Sequence, residues 1–386
     1  MGALSGYTVL ELSRVLAGPW CGMTLADLGA DVIKLESFDG DDTRGLGPPF
    51  LDGLSAYFAC CNRNKRSLAI DLRSPAARPL LEALVRGADV LVENFRTGGA
   101  EALGVGYEAM AAINPRLVYC SISGYGRSGP EATRPGYDYV VQAEAGLMSI
   151  TGPAGGEPSK VGVAVADLAT GQNAATAILA ALLQRGREGR GQRIDVSLFD
   201  TQLAMLANVA GNALFTGTDA PRYGNTHPSI VPYQAFRASD REFVLAVASE
   251  KLWRQLCHAL GREDWLADPR YASNAARVAH RGPLCEALAA VFAGQPAAHW
   301  LELFDRAGIP AAPINTVTQA LDHPVAAARG MRVEIGGIPM VGSPIKLSAS
   351  PPRLERPPPR LGEHSEEIAA AHGFDAGALR AAGAIR

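Results

Sequence analysis

The sequence predicts an α/β fold in which a parallel sheet carries helices on both of its faces. Two observations support this: short β-rich runs alternate with helical patterns through the first 130 residues, and these runs are almost continuously apolar. A third observation concerns residues 225–325, which differ in character from the segments on either side. We therefore expect a smaller α+β domain inserted into a larger domain built from both ends of the chain.

The N-terminal third supplies most of the predicted sheet. Pro19 and Pro75 each suit the first turn of a helix, because the missing N–H would have no partner there. The predicted strands are Tyr7–Leu12, Asp31–Glu36, Ser67–Leu72, Asp89–Phe95 and Leu117–Ser123, and the predicted helices between them are Pro19–Leu28, Pro75–Arg86 and Tyr107–Ile113.

Beyond residue 130 the pattern is less regular, with many Gly and Pro residues over 130–160 that predict a loop and a short helix. Pro351–Arg360 contains five prolines and is expected to be an extended connector before a last helix from about Ser365. These patterns give a large domain, residues 1–215 and 330–386, and a small domain, residues 225–325. The other predicted elements are a helix from Leu168 to Gln184, a strand Arg193–Phe199, a helix Thr201–Leu214, a hairpin within Tyr233–Ala248 and short helices over 250–330.

Composition limits the classes of function. Of the 386 residues 19% are charged, and the net charge of −3 provides no broad basic surface for nucleic acid. Arginine makes up 31 of the 36 basic residues; GC-rich coding and the binding of phosphate or carboxylate both fit this bias. No apolar run reaches the roughly 20 residues of a membrane span, and the N-terminus lacks signal-peptide features. We expect a soluble, cytoplasmic protein without membrane contact.

Motifs for metals and dinucleotides are weak or missing. The six cysteines form no CxxC and no Cys/His spacing of the zinc type, so we expect free thiols and no metal site. Gly124-Tyr-Gly126-Arg-Ser-Gly129 matches GxGxxG after a predicted strand. The dinucleotide fingerprint needs a helix to open at the third glycine, whereas Pro130 and Pro135 follow here. The pattern therefore favours a flexible loop at the end of a strand.

Asp167 is the acidic residue that stands out, because it ends a run of small apolar residues just before a long predicted helix. Aspartate at a helix N-terminus commonly caps the helix, and this interpretation is the simpler one. The same position also suits a nucleophilic carboxylate, because the helix dipole and the backbone N–H groups favour its ionised form. From the residues alone both interpretations stay open.

Several basic residues follow predicted strands, where open α/β sheets bind their ligands. Arg44, Arg73 and Arg96 occupy such places, and Asn62-Arg-Asn-Lys-Arg-Ser67 is a small basic cluster. A solvated loop explains the cluster as well as a phosphate contact does. If these residues do bind a ligand, a multiply phosphorylated one fits them better than a single carboxylate.

Taken together and in order, a series of short motifs resembles the family III CoA-transferases, and the resemblance covers nearly the whole chain. No single motif is specific. They are Ala17-Gly-Pro19, Leu28-Gly-Ala-Asp-Val-Ile-Lys-Leu-Glu36, Asn62-Arg-Asn-Lys-Arg-Ser67, Val92-Glu-Asn-Phe95, Asn114-Pro-Arg116, Ser123-Gly-Tyr-Gly126, Asp167, Gly189-Arg-Gly-Gln192, Asp195-Val-Ser-Leu198 and Leu361-Gly-Glu-His364.

The resemblance implies a Rossmann-like large domain and a homodimer of two interlocked chains. It also implies that Asp167 is the catalytic aspartate and that coenzyme A is a substrate rather than a tightly bound cofactor. Formyl-CoA transferase carries arginines at two positions where this chain has Ser37 and Ala102. Other residues must therefore contact the CoA phosphates, and the nearby candidates are Arg44, Arg63, Lys65 and Arg66. The CoA contacts implied by the resemblance fall on Leu16, Ala17, Ile70, Asp71, Leu72, Arg73, Asn94, Phe95, Arg96 and Tyr137.

Two other functions compete with CoA transfer. The α-methylacyl-CoA racemases share much of this pattern and resemble one another in a Gly-His-Asp segment, where this chain has Gly136-Tyr137-Asp138. A tyrosine with a usual pKa near 10 is a poor base at neutral pH, which favours a transferase. A non-catalytic CoA-binding protein would be expected to lack the aspartate, and Asp167 is present.

The acids that exchange CoA are expected to contact the segment that opens the small domain. Asn225, His227, Tyr233 and Gln234 would supply the few polar groups that a small-molecule site needs, although His227 is equally compatible with a structural turn. This segment resembles family members that use succinyl-CoA and a dicarboxylic acceptor. We therefore expect succinyl-CoA as donor and a C4–C5 dicarboxylic acid as acceptor.

Overall fold

The computed structural model describes all 386 residues, which form two compact units. The large unit contains Met1–Met148, Lys160–Thr218 and Pro324–Arg386, and the small unit contains Ser149–Ser159 and Asp219–His323. No helix is long and apolar enough to cross a bilayer.

A six-stranded parallel sheet forms the centre of the large unit. If its strands are numbered along the chain, their order across the sheet is 3-2-1-4-5-6, the order of doubly wound sheets. This order reverses between Thr8–Glu11 and Val90–Glu93, which are neighbours. Across the sheet the strands are Lys65–Ala69, Asp31–Glu36, Thr8–Glu11, Val90–Glu93, Val118–Ser123 and Arg193–Ser197.

Successive strand residues enter two different cores, one on each face of the sheet. Val9 belongs to the core that includes Ala174 and Ile178, whereas Leu10 belongs to the core that includes Leu80 and Leu84. This double burial explains why the strands are apolar without alternation. The helices of the large unit are Ala17–Asp27, Ala56–Ala59, Arg78–Gly87, Gly99–Ala102, Tyr107–Ile113, Asp138–Glu144, Val165–Glu188, Leu198–Met205, Ala207–Thr216, Pro324–Ala328, Ser365–Ala371 and Ala376–Ala381, with 3-10 turns at Asp42–Gly45 and Pro75–Ala77.

Most predicted elements differ from the structure by a residue or two at their ends, and three differ more clearly. The helix expected from Leu168 begins at Val165, so Asp167 lies within its first turn. The strand expected at Ser67–Leu72 is Lys65–Ala69, because the chain leaves the sheet after Ile70, whose N–H makes a last bond to the Glu36 carbonyl. The helix expected at Thr201–Leu214 is two helices, Leu198–Met205 and Ala207–Thr216, separated at Leu206.

The small unit is an α+β structure with a three-stranded antiparallel sheet, in the order Ala311–Pro313, Glu242–Ala246, Tyr233–Arg237. The predicted hairpin is confirmed, with its turn at residues 238–241. Aromatic residues dominate its core, where Phe243, Phe292 and Phe304 contact one another. Its helices are Glu250–Ala259, Glu263–Ala267, Asn274–Ala279, Arg281–Phe292, Ala297–Ala307 and Val317–Leu321.

The remaining elements are one short helix, one connector and two short hairpins. Helix Leu147–Ile150 spans the chain position where the first unit passes into the second. The connector Pro351–Arg360 has neither helix nor strand, as its prolines predict. Two short hairpins complete the large unit, Phe50–Leu51 with Leu54–Ser55 and Arg332–Ile335 with Ile338–Val341.

Candidate active site

A cleft of about 370 Å³ lies at the carboxyl edge of the large sheet, beside the strands where the order reverses. In open α/β sheets this is the place where ligands bind, because loops leave in opposite directions and open a crevice. Asp167 is one of the residues that line it. Residues that follow four strands form its walls, namely Arg14–Ala17, Asn94–Thr97, Ser123 with Gly124, and Leu198.

The Asp167 side chain does not cap its own helix. The carboxylate of Asp138 takes that role, because its Oδ1 accepts hydrogen bonds from the backbone N–H of Ala166 (2.8 Å) and of Asp167 (3.3 Å). Gln142, which is fully buried, donates from Nε2 to the other oxygen of Asp138 at 2.6 Å. The capping interpretation of Asp167 is therefore wrong, since a residue 29 positions earlier satisfies the helix N-terminus.

The surroundings of Asp167 favour its neutral form. Burial, together with the nearby negative charge of Asp138, raises the pKa of Asp167 to about 7, and no protein group donates a hydrogen bond to its carboxylate. Burial and the Asp167 carboxylate likewise raise the pKa of Tyr57 to about 12, so this phenol keeps its proton near the aspartate. The sequence analysis named Asp138 only as part of Gly136-Tyr137-Asp138 and gave it no role, and it missed Tyr57, which belongs to none of the motifs.

Several of the CoA contacts implied by the family resemblance lie together with Asp167. Leu16, Ala17, Asn94, Phe95, Arg96 and Tyr137 all line the cleft. Asn94 joins two walls, because its Oδ1 accepts from the N–H of Arg14 (2.9 Å) and its Nδ2 donates to the Arg14 carbonyl (2.8 Å). Tyr137 is 65% exposed and its phenol is open to solvent.

The segment Ile70–Arg73, also implied as a CoA contact, does not line this cleft. It follows the edge strand Lys65–Ala69, three strands away from Val90–Glu93. Ile70 is buried beside Ile385, and the Asp71 N–H donates to the carbonyl of Ala384. Any ligand that touches both Asp167 and Arg73 therefore has to extend along the carboxyl edge of the sheet.

Four basic residues considered for the CoA phosphates form ion pairs within the protein instead. Arg44 donates from Nε and Nη2 to the two oxygens of Glu36, at 2.8 and 2.6 Å. Arg63 makes a similar fork with Asp27, and both side chains are buried. Lys65 pairs with Glu11, and Arg66 pairs with Asp31 and Glu367. These contacts give all four residues a structural role.

A fully buried group of charges supports the loop that forms one wall of the cleft. The Nζ of Lys34 lies 3.0 Å from Glu11 and 2.9 Å from Asp41, and Lys65 lies 2.8 Å from the other oxygen of Glu11. Asp41 also accepts a hydrogen bond from the N–H of Val15. Val15 has a φ of 70°, which is strained for a β-branched residue. The charges therefore hold a strained turn beside the cleft.

The loop between Gly124 and Gly136 forms another wall, and no helix opens after its glycine motif until Asp138. This agrees with the rejection of a dinucleotide fingerprint. Arg127 attaches this loop to the sheet, because its Nη2 donates to both oxygens of the buried Glu93 at 2.8 Å. The two ends of the loop touch: a Cβ on Gly136 would lie 2.5 Å from the Cα of Gly124.

The residues predicted to face the acyl group belong to the small unit. The rings of His227 and Tyr233 contact each other with centroids 5.2 Å apart, and Asn225 is exposed in the same loop. Gln234 is the next residue along the strand and points to the opposite face, where the Cys285 thiol donates to its Oε1 at 3.2 Å. The structure thus brings His227 and Tyr233 together and separates Gln234 from them.

No group of three or more His, Cys, Asp or Glu side chains is placed to hold a metal ion. The histidine rings with assigned contacts bind other protein groups, such as His258 with Glu263 and His364 with the Ser67 N–H.

Comparison with known proteins identifies the family that the sequence motifs resemble. The profile of CoA-transferase family III matches residues 4–365. Succinate–glutarate CoA-transferase of Agrobacterium fabrum is 45% identical over 95% of each chain, and human succinyl-CoA:glutarate CoA-transferase is 40% identical over 95% of this chain and 85% of its own. A crystal structure of a CAIB/BAIF family protein from Brucella suis superposes with a TM-score of 0.88 at 44% identity, over 96% of this chain and all of that one. This chain therefore belongs to CoA-transferase family III and is an enzyme of the transferase class.

Proposed function

We propose that this enzyme moves CoA from succinyl-CoA to a C4–C5 dicarboxylic acid, and that Asp167 carries the CoA during transfer. One observation carries the proposal: in a cleft at the carboxyl edge of the sheet, a half-buried carboxylate receives no hydrogen bond and has a pKa raised to about 7. A structural aspartate would be paired or would cap its helix. The printed names of the relatives from Agrobacterium fabrum and human supply the acids.

The reaction proceeds by four acyl exchanges, in which the CoA thiolate released in the first and third exchanges is the nucleophile of the second and fourth. The Asp167 carboxylate attacks the thioester carbonyl of the donor, and CoA thiolate leaves to give a mixed anhydride. The thiolate attacks the aspartyl carbonyl and releases succinate, which leaves an aspartyl-CoA thioester. The acceptor carboxylate then displaces the thiolate to form a second anhydride, and the thiolate attacks its acceptor carbonyl, which regenerates Asp167. No metal and no tightly bound cofactor takes part.

The raised pKa of Asp167 suits this sequence of steps. A carboxylate that is poorly solvated is a stronger nucleophile than one that is held by hydrogen bonds. The helix N-terminus does not stabilise the Asp167 charge fully, because Asp138 occupies its N–H groups. Asp138 therefore acts as a positioning residue that fixes the backbone of Asp167 and raises its pKa.

We also propose a homodimer, which the family resemblance implies in an interlocked form. Helix Ala207–Thr216 has no buried residue although it is mostly apolar, and Leu214 and Phe215 in its last turn are 84% and 93% exposed. Monomeric proteins rarely leave so much contiguous apolar surface in water. A second copy of this chain is the partner that we expect to cover it.

The experiment that tests the substrate assignment is a panel of acceptor acids with succinyl-CoA as donor, read by mass spectrometry of the CoA thioesters. We expect glutarate and other C4–C5 dicarboxylates to be converted and monocarboxylates of equal length to be converted at least about tenfold more slowly, because the second carboxylate is recognised by charge-assisted hydrogen bonds. Exclusive use of monocarboxylates would refute the dicarboxylate assignment. Exchange of the substrate α-proton with solvent deuterium, without acyl transfer, would instead indicate a racemase.

A further inference from the structure

Two adjacent cysteines, Cys60 and Cys61, follow the short helix Ala56–Ala59 and differ sharply in exposure. Cys60 is exposed, whereas the side chain of Cys61 is fully buried. The other four cysteines are buried or half-buried, so Cys60 is the most accessible thiol of the chain. The mechanism proposed for Asp167 uses neither thiol.

The two sulfur atoms converge on one carbonyl group. The Cys60 Sγ donates to the carbonyl of Tyr57 at 3.1 Å, and the Cys61 Sγ lies 3.8 Å from the same oxygen. A hydrogen bond from the Cys61 thiol, together with the positive charge of Lys65, lowers the pKa of Cys60 below its usual value. A lower pKa increases the thiolate fraction, and the thiolate is the form that attacks disulfides.

Cys61 connects this pair to the wall of the cleft. Its Sγ lies 3.7 Å from the carbonyl of Val15, which lines the cleft and has the strained φ of 70°. The Asn62 side chain donates to the Cys61 sulfur at 3.4 Å and accepts from the Nζ of Lys65 at 2.8 Å. The thiol pair therefore adjoins the buried charges that support the same wall, and a group that displaces the pair also disturbs Val15.

Tyr57 lies near both the thiol pair and Asp167. Burial raises its pKa to about 12, and the negative charges of Asp167, Cys60 and Cys61 act in the same direction. Because charges are largely screened beyond about 10 Å, a phenol that senses both groups has to be close to both. A bulky substituent on Cys60 therefore adds atoms beside a side chain that lies near the reacting carboxylate.

We propose that Cys60 is a modification site, which forms a mixed disulfide with a low-molecular-weight disulfide, and that the attached group slows CoA transfer. The Cys60 thiol first gives its proton to solvent. The thiolate attacks one sulfur of the disulfide, whose S–S bond breaks, and the other half leaves as a thiolate that takes up a proton. One S–S bond forms and one breaks, so no further oxidant is needed, and excess thiol reverses the step. This modification goes beyond the proposed function.

The test treats the enzyme with glutathione disulfide, removes the excess reagent by desalting and measures CoA transfer from succinyl-CoA to glutarate. We expect one glutathione per chain, mapped to Cys60 by mass spectrometry, and a kcat/KM at least about tenfold lower, because small displacements in an active site are costly. Dithiothreitol should restore the original mass and rate. Cys60→Ser retains a hydroxyl that can donate to the Tyr57 carbonyl, so it should have the parental rate before and after treatment.

Cys285→Ser is the matched control, because Cys285 is half-buried and belongs to the small unit. After treatment it should carry glutathione on Cys60 and be slowed as the parent is. Absence of an adduct on Cys60 would overturn the proposal, and so would an adduct there without a change in rate, or an equal loss of rate in treated Cys60→Ser.

If Cys60→Ser does not fold, the parent alone decides the question. Loss of rate that follows the Cys60 adduct and is reversed by dithiothreitol would support the proposal, and loss that persists after the adduct is removed would overturn it. The proposed function is tested separately, before treatment. A parent that does not use glutarate would refute the acceptor assignment, whereas the adduct on Cys60 is mapped without any acceptor.

Discussion

At the residue scale, the role proposed for Asp167 predicts that activity depends on the pKa of its carboxyl group. Burial and Asp138 raise that pKa to about 7, and only the ionised carboxylate is a nucleophile. The ionised fraction increases as pH rises through the pKa, so we expect kcat/KM for the acyl-CoA donor to rise from pH 5 to pH 8 with a midpoint of about 7. This pH dependence is measured from initial rates across the same pH range, with the acceptor acid at a fixed concentration.

Asp138→Asn is the matched variant for this profile. Asparagine keeps an oxygen that accepts from the backbone of the Asp167 helix, but it removes the negative charge that raises the pKa of Asp167. We expect the midpoint of kcat/KM to move to lower pH. A midpoint that stays at the parental value, or moves to higher pH, would contradict the assigned source of the shift.

The sequence indicated Asp167 as the candidate nucleophile but not the protonation state of its carboxyl group. A small-residue run before a helix, together with a family resemblance, pointed to the residue. Its pKa depends on Asp138, which is remote along the chain and reaches the helix only after folding. Arg44 is a similar case, because the sequence does not show that its guanidinium pairs with Glu36 in the folded protein.

At the element scale, the loop Gly124–Gly136 shapes the cleft through the contact between its two ends. Gly136→Ala places a Cβ 2.5 Å from the Cα of Gly124, so the backbone has to move and the cleft wall moves with it. We expect kcat/KM to fall about tenfold or more, because small displacements in an active site are costly. Steady-state kinetics with succinyl-CoA, together with a melting curve, measure the effect.

Gly162→Ala serves as the control, because its Cβ would meet no atom within 4 Å and its backbone is not left-handed. It should retain parental kinetics. If Gly136→Ala also retained them, the contact at the loop ends would have no role in shaping the cleft. If both variants lost activity equally, added volume anywhere near Asp167 would be the cause.

Most elements could be predicted because their patterns are local. The apolar runs identified the strands, and the hairpin was found from its turn. Two of the predicted elements had wrong bounds for tertiary reasons. The strand predicted at Ser67–Leu72 ends early because Ile70 pairs with Ile385, which is remote in the sequence. The helix predicted at Thr201–Leu214 is interrupted because the chain turns at Leu206. Neither event has a signal within a short window of sequence.

At the scale of the whole molecule, the exposed helix Ala207–Thr216 should decide the oligomeric state. Leu214→Ser combined with Phe215→Ser removes its two most exposed large apolar side chains. We expect light scattering after size exclusion to show a dimer for the parent and a larger monomer fraction for this variant. Val317→Ser is the control, because it replaces an apolar side chain that is 79% exposed but lies outside this helix. A parent that is monomeric at micromolar concentration would contradict the proposed dimer.

Covalent trapping shows whether Asp167 carries CoA during transfer. The enzyme is incubated with succinyl-CoA in the absence of acceptor, quenched in acid, digested and mapped by mass spectrometry. We expect a CoA thioester on the peptide that contains Asp167. This adduct should be absent from Asp167→Asn, which should also lose transfer activity. An adduct on another residue, or an Asp167→Asn variant that transfers CoA at the parental rate, would contradict it.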